Sequence, residues 1–241
     1  MKKIITAVVF FAFSTLSANA IDRSSFSVFE LTAGIATNSG VFGASASETN
    51  DNHLGVAKTT RDSGVFTDSY GSQFIELGIG QWISLGYEHT PDSVSTPENR
   101  SREDVTATES KVSVDFNDLN TTYLKINLPK FNNMYFKFGD VETDLDIKET
   151  MGSASTSTYK NVSTSGSMYG LGYSKYMGES GFAFRVEGSY MDLDPVKTDN
   201  GIAQGTASTA AHDLTHVGFA TKKMEGLTAK AAITYTFGRN K

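Results

Sequence analysis

Histidine is the residue type with the widest chemistry in this sequence, because it binds metal ions and transfers protons near neutral pH. The chain has four histidines, which are His53, His89, His212 and His216. The last two have the spacing that places two metal ligands on one face of a helix, but in a β-strand the same spacing spans roughly 13 Å. The chain also has no cysteine. We therefore expect neither a metal site nor a cofactor.

A hydrolytic site is a second possibility, because His89 lies close in sequence to Asp92 and Ser93. A polar loop of this composition brings such residues together by chance, and no further residue fixes their geometry. The sequence therefore predicts no catalytic residues and a protein that is not an enzyme.

Two acidic runs, DVETDLD at 140–146 and DLDPVKTDNG at 192–201, could supply oxygen ligands to calcium. In the second run, Val196 occupies the fifth position of a calcium loop, where an oxygen ligand is needed, and the glycine of the sixth position is missing. No calcium loop is predicted, and weak cation binding remains open.

Other charged residues follow a strand pattern. In GFAFRVEGSY, Phe182, Phe184 and Val186 fall on one face of a strand, while Arg185 and Glu187 fall on the other. Repeated elsewhere, this pattern places four acids and four bases on polar strand faces: Glu30, Glu76, Glu88, Lys125, Lys137, Arg185, Glu187 and Lys230. A balanced set is expected inside a closed barrel, where an unpaired charge is costly. The alternative is ordinary surface charge on a soluble sandwich.

The elements that carry these residues are amphipathic segments, and most of them occur in pairs with a short break inside each pair. The predicted strands are 26–37, 72–80, 83–89, 121–129, 134–139, 167–176, 181–194 and 226–237. Long polar connections separate the pairs, at roughly 45–70, 91–110, 148–165 and 195–213. The sequence therefore predicts an all-β, eight-stranded antiparallel up-and-down transmembrane β-barrel with short periplasmic turns and long extracellular loops.

The first residues have the features of a secretory signal peptide. Lys2 and Lys3 precede an apolar run from Ile4 to Phe13, and small residues follow at Ala18-Asn19-Ala20. We expect 1–20 to be a signal peptide and 21–241 to be a single β-barrel domain. The formal net charge of −6 and the lack of a basic cluster argue against a nucleic-acid partner.

The glycine-rich aromatic segments ISLGYEH and YGLGYSKY, together with a last strand that ends ITYTF, resemble the small outer-membrane β-barrels of Gram-negative bacteria, the OmpA/OmpX-like group. This resemblance implies an outer-membrane location and contact with outer-membrane lipid and lipopolysaccharide. It also implies that the barrel-assembly machinery recognises the C-terminal strand. Members of the group end in an aromatic residue, whereas four residues follow Phe237 here.

The predicted function is that of a non-enzymatic barrel with a closed or nearly closed lumen and a role in envelope structure or surface interaction. The main alternative is a small porin-like channel for passive diffusion. Eight strands leave little room for a pore, but the count becomes ten and a small pore conceivable if Thr37–Ala46 and Thr215–Lys222 form separate strands. An outer-membrane lipid-modifying enzyme or protease is the least favoured alternative. The sequence leaves the oligomeric state open.

Three finer predictions concern individual residues. Lys230 is expected to pair with Glu30 where the first and last strands close the barrel, and Glu88 is the carboxylate expected to serve Lys125 and Lys137. The apolar positions in 134–147 change parity, which indicates either a β-bulge near Gly139-Asp140 or departure from the bilayer. Six aromatic residues are expected to face lipid: Tyr169, Tyr173, Phe182, Tyr190, Tyr235 and Phe237.

Overall fold

The computed structural model describes residues 29–51, 57–80, 82–102, 109–128, 130–131, 133–150, 159–201 and 216–237. The predicted signal peptide, His53, His212 and the four residues after Phe237 lie outside this described part of the chain. No helix among the described residues is long and apolar enough to cross a membrane.

The described residues form eleven strands: β1 Phe29–Asp51, β2 Ala57–Ile79, β3 Ile83–Thr90, β4 Val94–Ser95, β5 Asn99–Arg102, β6 Glu109–Asn127, β7 Met134–Thr150, β8 Val162–Tyr176, β9 Phe182–Leu193, β10 Lys197–Asp199 and β11 Val217–Phe237. Eight of them form an antiparallel ring in the order β1-β2-β3-β6-β7-β8-β9-β11, which the β1–β11 pairing closes. The short strands pair with β6 (β4 and β5) and with β11 (β10).

The predicted eight-stranded antiparallel barrel is confirmed. The ten-strand alternative is wrong, because Thr37–Ala46 lies inside the continuous strand β1 and 217–222 belongs to β11. The predicted connection at 45–70 is also largely wrong, because β1 continues to Asp51 and β2 begins at Ala57. The sequence from Ser45 to Ser63 consists mostly of polar residues, so it lacks the alternation that marks a strand.

Three short turns join β2 to β3, β6 to β7 and β8 to β9. Each turn contains a residue with positive φ, namely Gly80 (62°), Asn133 (70°) and Gly178 (66°). Glycine and asparagine are the residues that accept this backbone conformation most readily, so the local sequence favours a tight reversal at each of these positions. The same end of the barrel holds the start of β1 and the end of β11.

The strands are strongly staggered around the ring. Hydrogen-bonded neighbours can be followed from Gly78 on β2 through Lys137 on β7 and Thr228 on β11, and they return to β2 at Asp68. After one full turn around the ring, the path has moved along β2 from Gly78 to Asp68. The barrel therefore has a shear number of ten. A shear of this kind tilts the strands and brings side chains of non-neighbouring strands to the same height in the lumen.

The outer face near the short turns is a belt of exposed apolar side chains. It includes Ile79, Leu85, Phe136, Phe138, Leu171, Phe184, Val186 and Ile233. The six aromatic residues predicted to face lipid also lie on this outer face: five are exposed, and Tyr235 is half-buried between Phe182 and Phe237. Such a belt is the surface that a transmembrane barrel presents to lipid.

The expected bulge near Gly139-Asp140 is not present, because β7 pairs with β8 without interruption from Met134 to Leu145. Odd-numbered residues of β7 point inward along the whole strand, including Lys137 near the turns and Val141 near the loops. The same face of β7 therefore points inward along the whole strand. The residues on that face change from charged near the turns to apolar near the loops.

Irregularities in the ladder do occur on other strands. The register between β6 and β7 shifts between Asn117 and Asn120, where Asp118 has a φ of 51°. A second shift separates Ser45 from Ala46 in the pairing of β1 with β11. Both lie toward the loop end of the barrel, above the apolar belt.

Candidate functional site: the barrel interior

Seven of the eight predicted interior residues form one buried group, here called the ion network: Glu76, Glu88, Lys125, Lys137, Arg185, Glu187 and Lys230. Their side chains are only 2% to 9% exposed. They come from β2, β3, β6, β7, β9 and β11, so the network draws on six of the eight strands in the ring.

Glu76 is the centre of one half of the network. Arg185 donates to both of its carboxylate oxygens, from Nη1 to Oε1 at 2.7 Å and from Nη2 to Oε2 at 2.8 Å. Lys125 forms a further ion pair with Oε2, and the Tyr123 hydroxyl donates to Oε1 at 3.0 Å. Because β2 and β9 are not neighbours in the ring, the two parallel bonds from Arg185 cross the lumen.

The other half is a square of alternating charge. The Nζ atom of Lys137 is 3.0 Å from Glu88 Oε2 and 3.3 Å from Glu187 Oε1. The Nζ atom of Lys230 is 2.6 Å and 3.3 Å from the same two oxygens. Each lysine thus links two carboxylates that belong to different strands.

Neutral side chains complete the hydrogen bonds of the network. Ser72 donates to Glu88 Oε1 at 2.7 Å and accepts a bond from Asn38 Nδ2 at 2.9 Å. The Tyr135 hydroxyl donates to Glu187 Oε2 at 2.9 Å. All six carboxylate oxygens in the network therefore accept a hydrogen bond, which offsets part of the cost of burying charge.

Glycines make room for the tyrosines of the network. A Cβ atom on Gly86 would lie 2.2 Å from the ring of Tyr123, and one on Gly172 would lie 2.2 Å from the ring of Tyr135. The pattern of charged residues along the strands did not indicate that these tyrosines belong to the interior group. The signal was present, since Tyr123 has the parity of Lys125 and Tyr135 has that of Lys137.

Glu30 is placed differently from the other predicted residues. It lies opposite Gly78 near the turn end of β1, where its side chain is exposed. The predicted pair with Lys230 is wrong, because Lys230 lies opposite Asn38 on β1 and bonds to Glu88 and Glu187 instead. The stagger between the first and last strands separates the two residues.

The prediction that Glu88 binds both Lys125 and Lys137 holds for only one of the two lysines. Glu88 does serve Lys137, but Lys125 pairs with Glu76. The two lysines lie directly opposite each other on β6 and β7, yet they turn to carboxylates on different strands. The described network therefore holds four cations and three carboxylates.

Toward the loops, the interior becomes an apolar pocket, here called the loop-side chamber. It is a small cavity of about 30 Å³, and its lining includes Phe42, Ala44, Phe66, Val94, Phe116, Leu119, Met191, Leu193 and Met224. Beyond it lies a smaller buried cluster of Ile147, Tyr159, Val217 and Phe219. Burial, with a further contribution from Glu48 and Glu149, raises the pKa of Tyr159 above its ordinary value.

The candidate catalytic trio does not form a bonded triad. The Nδ1 atom of His89 lies 2.8 Å from Asn120 Oδ1, which also accepts a bond from the Tyr87 hydroxyl at 2.7 Å. Among the described residues, no group of three or more histidines, aspartates and glutamates is placed to hold a metal ion.

The sequence matches no protein-family model and no curated protein sequence. Several solved structures share the architecture. The outer membrane protein OprG from Pseudomonas aeruginosa is 11% identical, with a TM-score of 0.55 over 88% of this chain and 96% of OprG. The outer membrane protein AlkL is 16% identical, with a TM-score of 0.41 over 85% of this chain and 90% of AlkL. The Escherichia coli outer membrane protease OmpT is 10% identical, with a TM-score of 0.40 over 86% of this chain and 97% of OmpT.

At 11% identity the likeness to OprG shows a shared fold, while the two lower scores add nothing further. The closed ring of eight strands and its outward apolar belt agree with that likeness. The chain therefore has the fold of the small outer-membrane β-barrel proteins of Gram-negative bacteria, as predicted.

Proposed function

We propose that this protein is a non-enzymatic, integral outer-membrane barrel whose lumen is closed, and that its loop side serves envelope structure or contacts at the cell surface. The observation that carries this proposal is the ion network. Its bonds run across the lumen, from Arg185 on β9 to Glu76 on β2 and from Lys230 on β11 to Glu88 on β3. Side chains fill most of this level of the barrel, where the remaining cavity is only about 10 Å³.

Opening a lumen that is closed by such a network costs free energy. A hydrated ion that entered the lumen would have to separate buried charge pairs, and removing one partner of such a pair costs about 3–5 kcal/mol. Several ion pairs would also have to break together, because Lys137 and Lys230 each bind two carboxylates. An eight-stranded barrel is narrow enough for side chains alone to fill its lumen.

The same geometry supports a non-enzymatic role. A general base needs a free oxygen or nitrogen within reach of a substrate. The carboxylates of Glu76, Glu88 and Glu187 each have both oxygens engaged by donors within the barrel wall.

The outer face of the barrel supports the proposed contact with outer-membrane lipid and lipopolysaccharide. The belt of exposed apolar side chains fits outer-membrane lipid, and charged side chains such as Asp192 and Glu225 follow it toward the loops, at the height where lipopolysaccharide head groups would lie. We expect the barrel-assembly machinery to recognise the last strand, β11, whose outward residues include Tyr235 and Phe237.

The experiment is an ion-flux assay on liposomes that contain the purified protein. Wild-type protein should release no more trapped iodide than empty liposomes do. The double variant Glu76→Ala/Arg185→Ala removes the central cross-lumen pair and should release iodide measurably faster. Leu171→Ala on the outer face is the matched control and should behave as wild type. Rapid release by the wild type, unchanged in the double variant, would favour the porin-like alternative.

A further inference from the structure

The outer face of the barrel is not equally apolar on all sides. On β11 and β1, exposed apolar residues continue to Leu227 and Val41, ten residues from Phe237 and twelve from Phe29. On β3 and β7, the outward face is already polar at His89 and Asp140, each six residues beyond the first residue of its strand. Six residues rise roughly 15 Å along the axis of a tilted barrel, whereas the apolar band of such a barrel is about 25 Å tall. Lipid at this height solvates polar side chains poorly. The outward polar residues on these strands and on β6 between them are here called the polar sector: His89, Asn120, Thr122 and Asp140.

We propose that the polar sector is the contact surface between two copies of this chain, related by a two-fold axis along the bilayer normal. A dimer goes beyond the proposed function, which leaves the oligomeric state open, and it rests only on the barrel lying in a membrane. Two-fold dimers are the commonest symmetric assemblies of a single chain. Contact surfaces within a membrane use small side chains and hydrogen-bonding side chains, and the polar sector supplies both.

The two ionisable side chains of the polar sector can each accept another partner. Within the described part of the chain, the Asp140 carboxylate has no hydrogen-bond or ion-pair partner. The Nδ1 atom of His89 lies 2.8 Å from Asn120 Oδ1, and because that oxygen only accepts, Nδ1 is the donor. The Asn120 amide is oriented by its own bond from Nδ2 to the Asp118 carbonyl at 2.7 Å. The Nε2 atom of His89 is therefore the nitrogen that a protonated ring can offer to a carboxylate.

The arrangement of the charges is self-complementary. Thr122 lies in the middle of the polar sector on β6, opposite Asp140 on β7 and next to the strand that carries His89. A two-fold axis along the bilayer normal near Thr122 preserves height and exchanges left with right. It therefore makes His89 of each copy face Asp140 of the other, at the same height. The dimer gains two contacts between opposite charges and brings no like charges together.

The residues on the turn side of the polar sector suit the same axis. Leu124 follows Thr122 on the outer face of β6 and lies opposite Leu85 on β3 and Phe138 on β7. Leu85 and Phe138 are exposed on the outer face. The axis would therefore place an apolar contact below the polar one. The small side chain of Thr122 at the centre lets the two barrel walls approach closely.

The test is cross-linking of the full barrel in lipid vesicles with a short bis-maleimide. The chain has no cysteine, so one introduced thiol reports one position. Thr122→Cys should give a cross-linked dimer on a denaturing gel. Ile233→Cys is the matched control, because β11 lies on the opposite side of the ring from β6 and Ile233 is exposed there. It should stay monomeric. Equal cross-linking at the two positions, or none at Thr122→Cys, would overturn the proposal.

Further substitutions in the Thr122→Cys chain test the charged contacts. His89→Ala and Asp140→Asn should each lower the dimerisation constant about tenfold, because each breaks both contacts of the dimer. Asp192→Asn, an outward acid on β9 outside the polar sector, should leave it unchanged. Unchanged dimerisation in both His89→Ala and Asp140→Asn would refute the contact.

Mixing the two variants gives a sharper result. A dimer of one His89→Ala copy and one Asp140→Asn copy keeps one complete contact, so it should cross-link more than either variant does with itself. A larger tag on one copy resolves the mixed dimer on the gel, and no excess of mixed dimer would count against the pairing of His89 with Asp140. Heat-modifiable migration of each variant shows that the barrel is folded and inserted. Loss of cross-linking with that migration intact concerns the dimer alone, whereas loss of the migration concerns the membrane barrel itself.

Discussion

Arg185 offers the most informative single perturbation of the barrel. Arg185→Met keeps most of the length of the side chain but removes two charge-assisted hydrogen bonds to Glu76. Glu76 is 2% exposed, so its charge cannot turn to water. Loss of one partner from a buried pair costs about 3–5 kcal/mol. Since Lys125 and the Tyr123 hydroxyl still contact Glu76, we expect the lower end, about 3 kcal/mol.

The assay is reversible unfolding of the protein by guanidinium chloride in lipid vesicles, followed by circular dichroism. Arg185→Lys keeps the charge but loses the planar fork, so its cost should fall between wild type and Arg185→Met. The neighbouring Val186→Ala on the outer face is the control for a change of side chain at this height. An unfolding free energy of Arg185→Met within about 0.5 kcal/mol of wild type would refute a dry network, because water would then be replacing the lost donors.

A double-mutant cycle separates the pair from its surroundings. If Arg185 and Glu76 act mainly on each other, Glu76→Gln/Arg185→Met should be less destabilised than the sum of the two single variants. Additive single effects would mean that the two side chains do not interact across the lumen. The cycle therefore tests the contact itself, whereas the single variant tests only its burial.

Three further predictions concern packing, a turn and pH. Gly86→Ala should lower the unfolding free energy by about 1–3 kcal/mol, because its methyl group would overlap the ring of Tyr123, and denaturant unfolding measures it. Gly178→Ala should cost about 1 kcal/mol in the same assay, since φ is 66° there. Stability should fall as pH rises above about 10, because burial raises the pKa of Tyr159 in the folded state, and Tyr159→Phe should reduce that loss in pH-dependent unfolding.

The sequence was sufficient for the strand number and for the face that most strand side chains occupy. Parity placed Arg185 and Glu187 on the strand face opposite Phe184, the predicted barrel turned that face inward, and the alternation holds along the whole of β9. Turn residues such as Gly178 marked where the chain reverses. These features depend on local alternation and local backbone preference, both of which can be read along one segment.

The pairing partners could not be read in this way. Which cation meets which carboxylate depends on the shear of the whole ring, and shear is a sum over all eight strand registers. Lys230 lies on the strand next to that of Glu30, yet its carboxylates come from β3 and β9. The sequence did not predict the loop-side chamber, because the barrel interior was expected to be polar along its whole length. Under that expectation an apolar residue such as Val141 indicates a change of strand face, although Val141 lies in the apolar part of the interior.

Single-channel recording in planar lipid bilayers tests the closed lumen most directly. Wild-type protein should insert without discrete conductance steps, because the ion network fills the lumen from wall to wall. Stable ohmic steps from the wild type, with the same amplitude in Glu76→Ala/Arg185→Ala, would show that ions pass without meeting the network and would contradict the closed lumen.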